Sequence, residues 1–137
     1  MPIELSTELL MLGCSVILGI VQLMVATQVS NSMRGLAWIL SPRDEKKPDL
    51  EGKVGRPERS FKNFMETFPF FLAAVVGAQL LNRHGTLSVV GAELYFACRV
   101  LHYAVYLLGI PVIRTLIWLG SLVGILMILA QQLVSIS

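Results

Sequence analysis

Apolar residues fall into four blocks along the chain, separated by three polar breaks of unequal length. The blocks run from about Leu9 to Val29, Phe64 to Leu81, Leu87 to Gly109 and Pro111 to Val134. Each is close to the roughly 20 residues a helix needs to cross a bilayer. Two breaks are short, Asn82 to Thr86 and the Gly109–Pro111 turn, so the helices they join are antiparallel neighbours. The third, SPRDEKKPDLEGKVGRP from Ser41 to Pro57, is polar, broken by Pro and Gly, and reads as an exposed loop. Pro57 suits the first turn of the second helix, and Pro69 lies inside it, where proline kinks a helix axis. The pattern predicts an all-α, integral-membrane, four-helix up-down bundle forming one domain over residues 1–137.

Charge gives the pattern a direction. Arg34, Arg43, Lys46, Lys47, Lys53, Arg56, Arg59 and Lys62 crowd the first connection, which is expected on the cytoplasmic side from about residue 34 to 57. Both termini then lie across the membrane from it. Glu4 and Glu8 stand where a signal peptide would be basic, and no small-residue cleavage pattern follows, so the first helix is read as retained. Asp44, Glu45, Asp49 and Glu51 dilute the basic loop, and a net charge of +2 argues against a nucleic-acid partner. The two cysteines, Cys14 and Cys98, fall inside predicted spans as small packing residues, which excludes a disulfide framework. Small residues (Ala73, Ala74, Gly77 and Ala78, then Gly120, Ser121 and Gly124) allow close helix contact. Gln22 and Gln79 are read as interhelical hydrogen-bonding groups.

The candidate chemistry lies in the polar positions of the last three blocks. Arg59, Lys62, Asn63 and Glu66 are three, four and seven apart, a spacing that puts them on one face of the second helix. Tyr95, Arg99, His102 and Tyr106 recur at four, three and four on the third helix, with Tyr103 beside them, and Arg114 and Thr115 follow Pro111 at the start of the fourth. Antiparallel geometry brings these groups to one membrane depth. Charged residues inside a span are costly unless paired or hydrated. Three arginines to one glutamate leave positive charge over, so the set suits a small anionic or zwitterionic peptide held by arginine forks. A cation beside a thiol would raise its thiolate fraction. The bland reading is an ion-pair staple, Arg59–Glu66 or Glu66–Arg99, holding no ligand. Tyr95 and Tyr103 are read as packing aromatics and Glu93 as a structural hydrogen-bond partner. No metal-ligand spacing appears, so no metal is assigned.

Three motifs, ERSFKNFMETFPFF at Glu58–Phe71, RVLHYAVYLLGIP at Arg99–Pro111 and IRTLIW at Ile113–Trp118, carry a resemblance to the MAPEG family, the membrane-associated proteins in eicosanoid and glutathione metabolism, and to its bacterial branch in particular. The resemblance implies a homotrimer with glutathione as co-substrate, bound between subunits near the cytosolic face. It would put Arg59, Lys62, Asn63, Glu66, Arg99, His102 and Tyr106 on glutathione, with Arg114 stabilising the thiolate and Thr115 beside it. Where eukaryotic members carry an arginine near the end of the first helix, this chain has Ser30, with Arg34 one turn on. The implied activity is a membrane glutathione transferase or peroxidase acting on hydrophobic small molecules from the lipid bilayer, in a bacterial inner membrane and for detoxification. Two alternatives stay open: a non-catalytic lipid- or partner-binding protein of the same fold, and a proton-coupled exporter using Glu66 or Glu93.

Overall fold

A computed structural model of the chain describes residues 5–134, which form five α-helices and a 3-10 turn, with no strand among the described residues. Glu4, read above together with Glu8, lies outside them. Helix α1 (Thr7–Arg34) starts at Ser6, whose hydroxyl accepts from the Leu9 N–H at 3.3 Å, satisfying a donor that a helix N-terminus leaves open. Gly35 ends it at φ 81°, and the one-turn helix α2 (Leu36–Ile39) follows. A 3-10 turn at Gly52–Gly55 leads into α3 (Arg56–Leu80), with Pro57 in its first turn. Helix α4 (Thr86–Leu108) ends at Gly109, whose left-handed conformation (φ 77°) turns the chain into α5 (Pro111–Val134).

Helices run past the apolar windows of the sequence. α1 continues to Arg34, and α3 begins at Arg56 rather than Phe64. Hydropathy marks where a helix tolerates lipid, whereas caps and prolines decide where it starts and stops.

α1 and α5 each pack against both α3 and α4, and the α4–α5 contact is the most extensive. That contact depends on glycine. A Cβ added to either Gly91 or Gly124 would stand 2.6 Å from the other's carbonyl oxygen, so only two bare backbones fit there. Between α3 and α4, the rings of Phe71 and Tyr95 stack with centroids 3.9 Å apart, and the Tyr95 hydroxyl meets Thr67 Oγ1 at 3.2 Å. Ala74, Val75, Ala78, Ala92, Ile125 and Ile128 complete this core. Gly19 of α1 lies against the Phe64 ring, where a Cβ would come within 2.8 Å. Tyr95 is thus a packing aromatic.

On α1 polar and small residues are inside and large apolar ones outside. α1 buries Glu8, Ser15, Gly19, Gln22, Ala26 and Ser30, three, four or seven apart, while Val16, Ile17, Ile20, Val21, Leu23 and Met24 face outward. Water would select the reverse; a hydrocarbon solvent selects this. α1 and α5 are long and apolar enough to cross a membrane. At 25 and 23 residues, α3 and α4 reach roughly 35–38 Å at 1.5 Å per residue, but Glu66, Arg99 and His102 interrupt their apolar runs. Gln22 accepts from Ser60 Oγ at 3.4 Å and Gln79 donates to Ser6 Oγ at 2.7 Å, so both glutamines join helices.

Candidate functional site

Asn63 of α3 is the hinge of the polar cluster. Its carbonyl oxygen accepts from Arg99 Nη2 at 3.1 Å, and its amide donates to Glu66 Oε2 at 3.4 Å. Arg99 is 1% exposed, with its guanidinium 5.4 Å from the centre of the Phe64 ring. Its Nε and Nη1 are buried and find no hydrogen-bond partner. The ion pairs among the described residues, Arg34–Glu58 and Lys47–Glu58, lie in the loop region. The staples of the bland reading are therefore missing: neither Arg59–Glu66 nor Glu66–Arg99 forms an ion pair.

Beside this cluster opens a cavity of about 210 Å³, lined by Asn63, His102, Tyr106, Arg114, Thr115 and Trp118. One residue per helical turn supplies the α4 wall, because His102 and Tyr106 are four apart; their rings meet at 5.6 Å. The first turns of α5 supply the opposite wall. Arg114 holds its guanidinium 4.9 Å from the centre of the Tyr106 ring, a cation–π contact. The Thr115 hydroxyl donates to the Pro111 carbonyl at 3.1 Å, leaving its lone pairs to face the cavity. Trp118 Nε1 is buried without an acceptor. Among the described residues, the three partnerless buried side-chain polar atoms are thus all N–H donors, at or next to one cavity. Such groups cost free energy until an acceptor reaches them.

Six of the nine residues expected from the sequence meet here: Asn63, Arg99, His102, Tyr106, Arg114 and Thr115, with Glu66 exposed at the edge and bonded through Asn63. Arg59 and Lys62 do not join them. Arg59 donates to the carbonyls of Leu50 (3.0 Å) and Gly52 (2.7 Å). Both residues line a second cavity, under the loop, with Asp49, Leu50, Glu58 and Phe61. The single stripe of the sequence is divided, because the loop carbonyls lie within reach of Arg59 and draw it away. Arg34 is also committed: it donates to Ser30, to the Pro48 carbonyl and to Glu58. Tyr103 is half-buried and does not line the cavity. Glu93 is exposed and makes no hydrogen bond among the described residues, unlike the structural role expected of it.

Burial pushes the Glu58 carboxyl up, but hydrogen bonds and charge from Lys47 and Arg34 outweigh it and hold the group below its ordinary value. Together these residues fasten the loop to the ends of α1 and α3. Trp118 was not singled out in the sequence, although its spacing of four from Arg114 puts it on the same face of α5.

The sequence model of the MAPEG family matches residues 11–134. The chain belongs to the MAPEG family. Nearly the whole chain is covered, from the second turn of α1 to the end of α5. This MAPEG protein is accordingly a helical membrane protein, in keeping with its two apolar helices and its outward-facing apolar surface. No curated protein gives a significant match to the chain.

Proposed function

We propose that this MAPEG protein is a glutathione-dependent membrane transferase or peroxidase that stabilises the glutathione thiolate and attacks hydrophobic electrophiles arriving from the bilayer. The observation that carries this reading is the donor surplus: Arg99 Nε and Nη1 and Trp118 Nε1 are buried without acceptors, around a cavity that also presents Arg114, His102 and Tyr106. An acceptor-rich anion satisfies such a set, and glutathione carries two carboxylates, two amide carbonyls and a thiol. Glu66 and the Asn63 amide supply the complement for its ammonium and amide groups.

The roles divide by position. Asn63, Glu66, Arg99, His102 and Tyr106 hold the peptide. Arg114, in the first turn of α5, adds a fixed cation to a helix N-terminus, and both favour a thiolate. Thr115 offers lone pairs beside it. With an aryl chloride, the thiol proton leaves to solvent, a carbon–sulfur bond forms, and chloride departs with the carbon–chlorine electron pair. The cavity is smaller than the roughly 300–1,000 Å³ of a typical small-molecule site, so one subunit covers only part of a tripeptide. In a homotrimeric four-helix bundle a neighbouring subunit would complete the site, with Arg59 and Lys62 serving from the adjoining cavity. The basic loop and the site would face the cytoplasm of a bacterial inner membrane.

The test is ultraviolet difference absorbance of the thiolate on adding glutathione, together with conjugation of a generic aryl halide. The wild type is expected to show both. Arg114→Ala should lose the thiolate band and slow conjugation on the order of 10²–10³-fold, the usual cost of losing one preorganised charge-stabilising group. A wild type with neither signal overturns the enzyme reading.

One observation favours the non-catalytic alternative. Arg34, the residue nearest to where other members place a first-helix arginine, is bound to Ser30, Pro48 and Glu58 and is held away from such a role. That reading predicts stabilisation by glutathione or lipid without turnover.

A further inference from the structure

Trp118 lines the cavity but belongs to none of the roles above. It sits four residues after Arg114, so the two side chains share one face of α5 with Cβ atoms about 6 Å apart. An atom lying between them is within reach of both. Two of the other lining residues are already committed: the Asn63 amide is bonded to Glu66 and its carbonyl to Arg99, and the Thr115 hydroxyl proton goes to Pro111. The indole Nε1–H is buried and has none.

Depth decides which atom it serves. α5 begins at Pro111, and each helical residue rises 1.5 Å, so Trp118 lies about 6 Å further along the helix than Arg114. Carboxylates favour the wet mouth of the site. The sulfur must face the apolar interior, where a lipid-soluble electrophile is dissolved. We infer that Trp118 Nε1–H is a second thiolate donor, holding the glutathione sulfur between itself and Arg114. The inference rests on the glutathione reading above and goes further by naming a residue that sets the acidity of the bound thiol. No bond to carbon or change of oxidation state is involved; the thiol proton passes to solvent and the indole keeps its own.

Trp118→Phe keeps the aromatic bulk and removes only the N–H. With glutathione, the pH at which the bound thiolate band is half-developed should rise by roughly 0.5–1 unit, a ~3–10-fold loss of thiolate at a fixed pH below it. Binding of S-methylglutathione, which has no thiolate, should be unchanged. The ligand-free melting temperature should stay level or rise, because the lost N–H had no partner. The chain has two tryptophans, so Trp38→Phe leaves Trp118 as the sole indole reporter in an otherwise complete protein. Its fluorescence should respond to glutathione and not to S-methylglutathione.

Three results would overturn the inference. An unchanged thiolate profile in Trp118→Phe removes the donor. An equal loss of S-methylglutathione binding moves the contact to another part of the peptide. A lowered ligand-free melting temperature or loss of oligomer means that the indole bonds protein, within the subunit or across to a neighbour. Absence of the thiolate band in the wild type would instead sink the glutathione reading itself, so the two failures are distinguishable.

Discussion

The two ends of the long helices treat their polar groups differently. Where α1 and α4 begin and α3 and α5 finish, the polar groups bond to one another. Ser88 donates to the buried Glu8 carboxylate at 2.6 Å, Gln79 to Ser6 at 2.7 Å, Gln132 to the Ala74 carbonyl at 2.8 Å and Arg83 to the Gln132 carbonyl at 3.0 Å. At the other end, Arg99 and Trp118 bury three N–H groups that meet no acceptor. Composition alone does not separate the two, since both contain charged side chains on helices. Donor and acceptor pairing does: the first end is fastened within the subunit, and the second leaves donors over, which the proposed function assigns to an anion. In a protein dissolved in lipid, where a polar residue is expensive wherever it is placed, the balance of donors and acceptors is the better guide to function.

The contrast can be broken at either end. The largest effect is expected at Arg99. Arg99→Met replaces a buried cation that makes no ion pair with an apolar group of similar length, which removes the cost of burying a charge and two unpartnered N–H groups. The melting temperature should therefore hold or rise, while glutathione affinity falls roughly tenfold to a hundredfold, the value of a charged hydrogen bond or two. Calorimetric titration and a thermal melt on one preparation check both halves. A destabilised protein with intact binding would make Arg99 a fastening group after all.

Glu8→Ala attacks the fastened end and should give the opposite pattern. Losing the charged hydrogen bond from Ser88, whose hydroxyl keeps its bonds to Gly85, should cost about 1–3 kcal/mol of stability with glutathione affinity unaltered, measured by the same pair of methods.

The smallest effect concerns the loop. The Glu58 carboxyl is held below its ordinary value of 4.5 by Lys47 and Arg34. Its contribution is therefore fully present above that value and is lost as pH falls through the lowered one. Protection of the residue 41–55 amides, corrected for the intrinsic slowing of exchange in acid, should fall on acidification below about 4.5, and Glu58→Gln should show the lower protection throughout. Because Glu58 is partly exposed, the change should be confined to the loop.

Much of this molecule was legible in its sequence, for identifiable reasons. Helices α1 and α5 are nearly continuous apolar runs, and Gly109 with Pro111 marks a turn that only a few residue types make. The cluster of Asn63, Arg99, His102, Tyr106, Arg114 and Thr115 followed from helical spacing together with antiparallel neighbours. The division of the α3 stripe did not, because it depends on where the carbonyls of Leu50 and Gly52 fall, and loop conformation leaves no periodic trace. The short helix α2 escaped for a related reason: hydropathy reports affinity for lipid, and helix formation continues beyond it. Pro57, by contrast, marks the start of α3 ahead of its apolar window. Trp118 carried no signal in the sequence beyond its spacing of four from Arg114; its unpartnered N–H and its place on the cavity wall are features of the fold. Membership of the MAPEG family was carried by the same motifs that line the cavity.

The most direct test of the donor surplus is thermal stabilisation of the purified protein by glutathione compared with glutathione diethyl ester, which keeps the peptide and thiol but masks both carboxylates. Saturable stabilisation by the free acid, with little or none from the ester, is the predicted result. Equal stabilisation by both, or by neither, would contradict the claim that these buried donors exist to hold an anionic peptide.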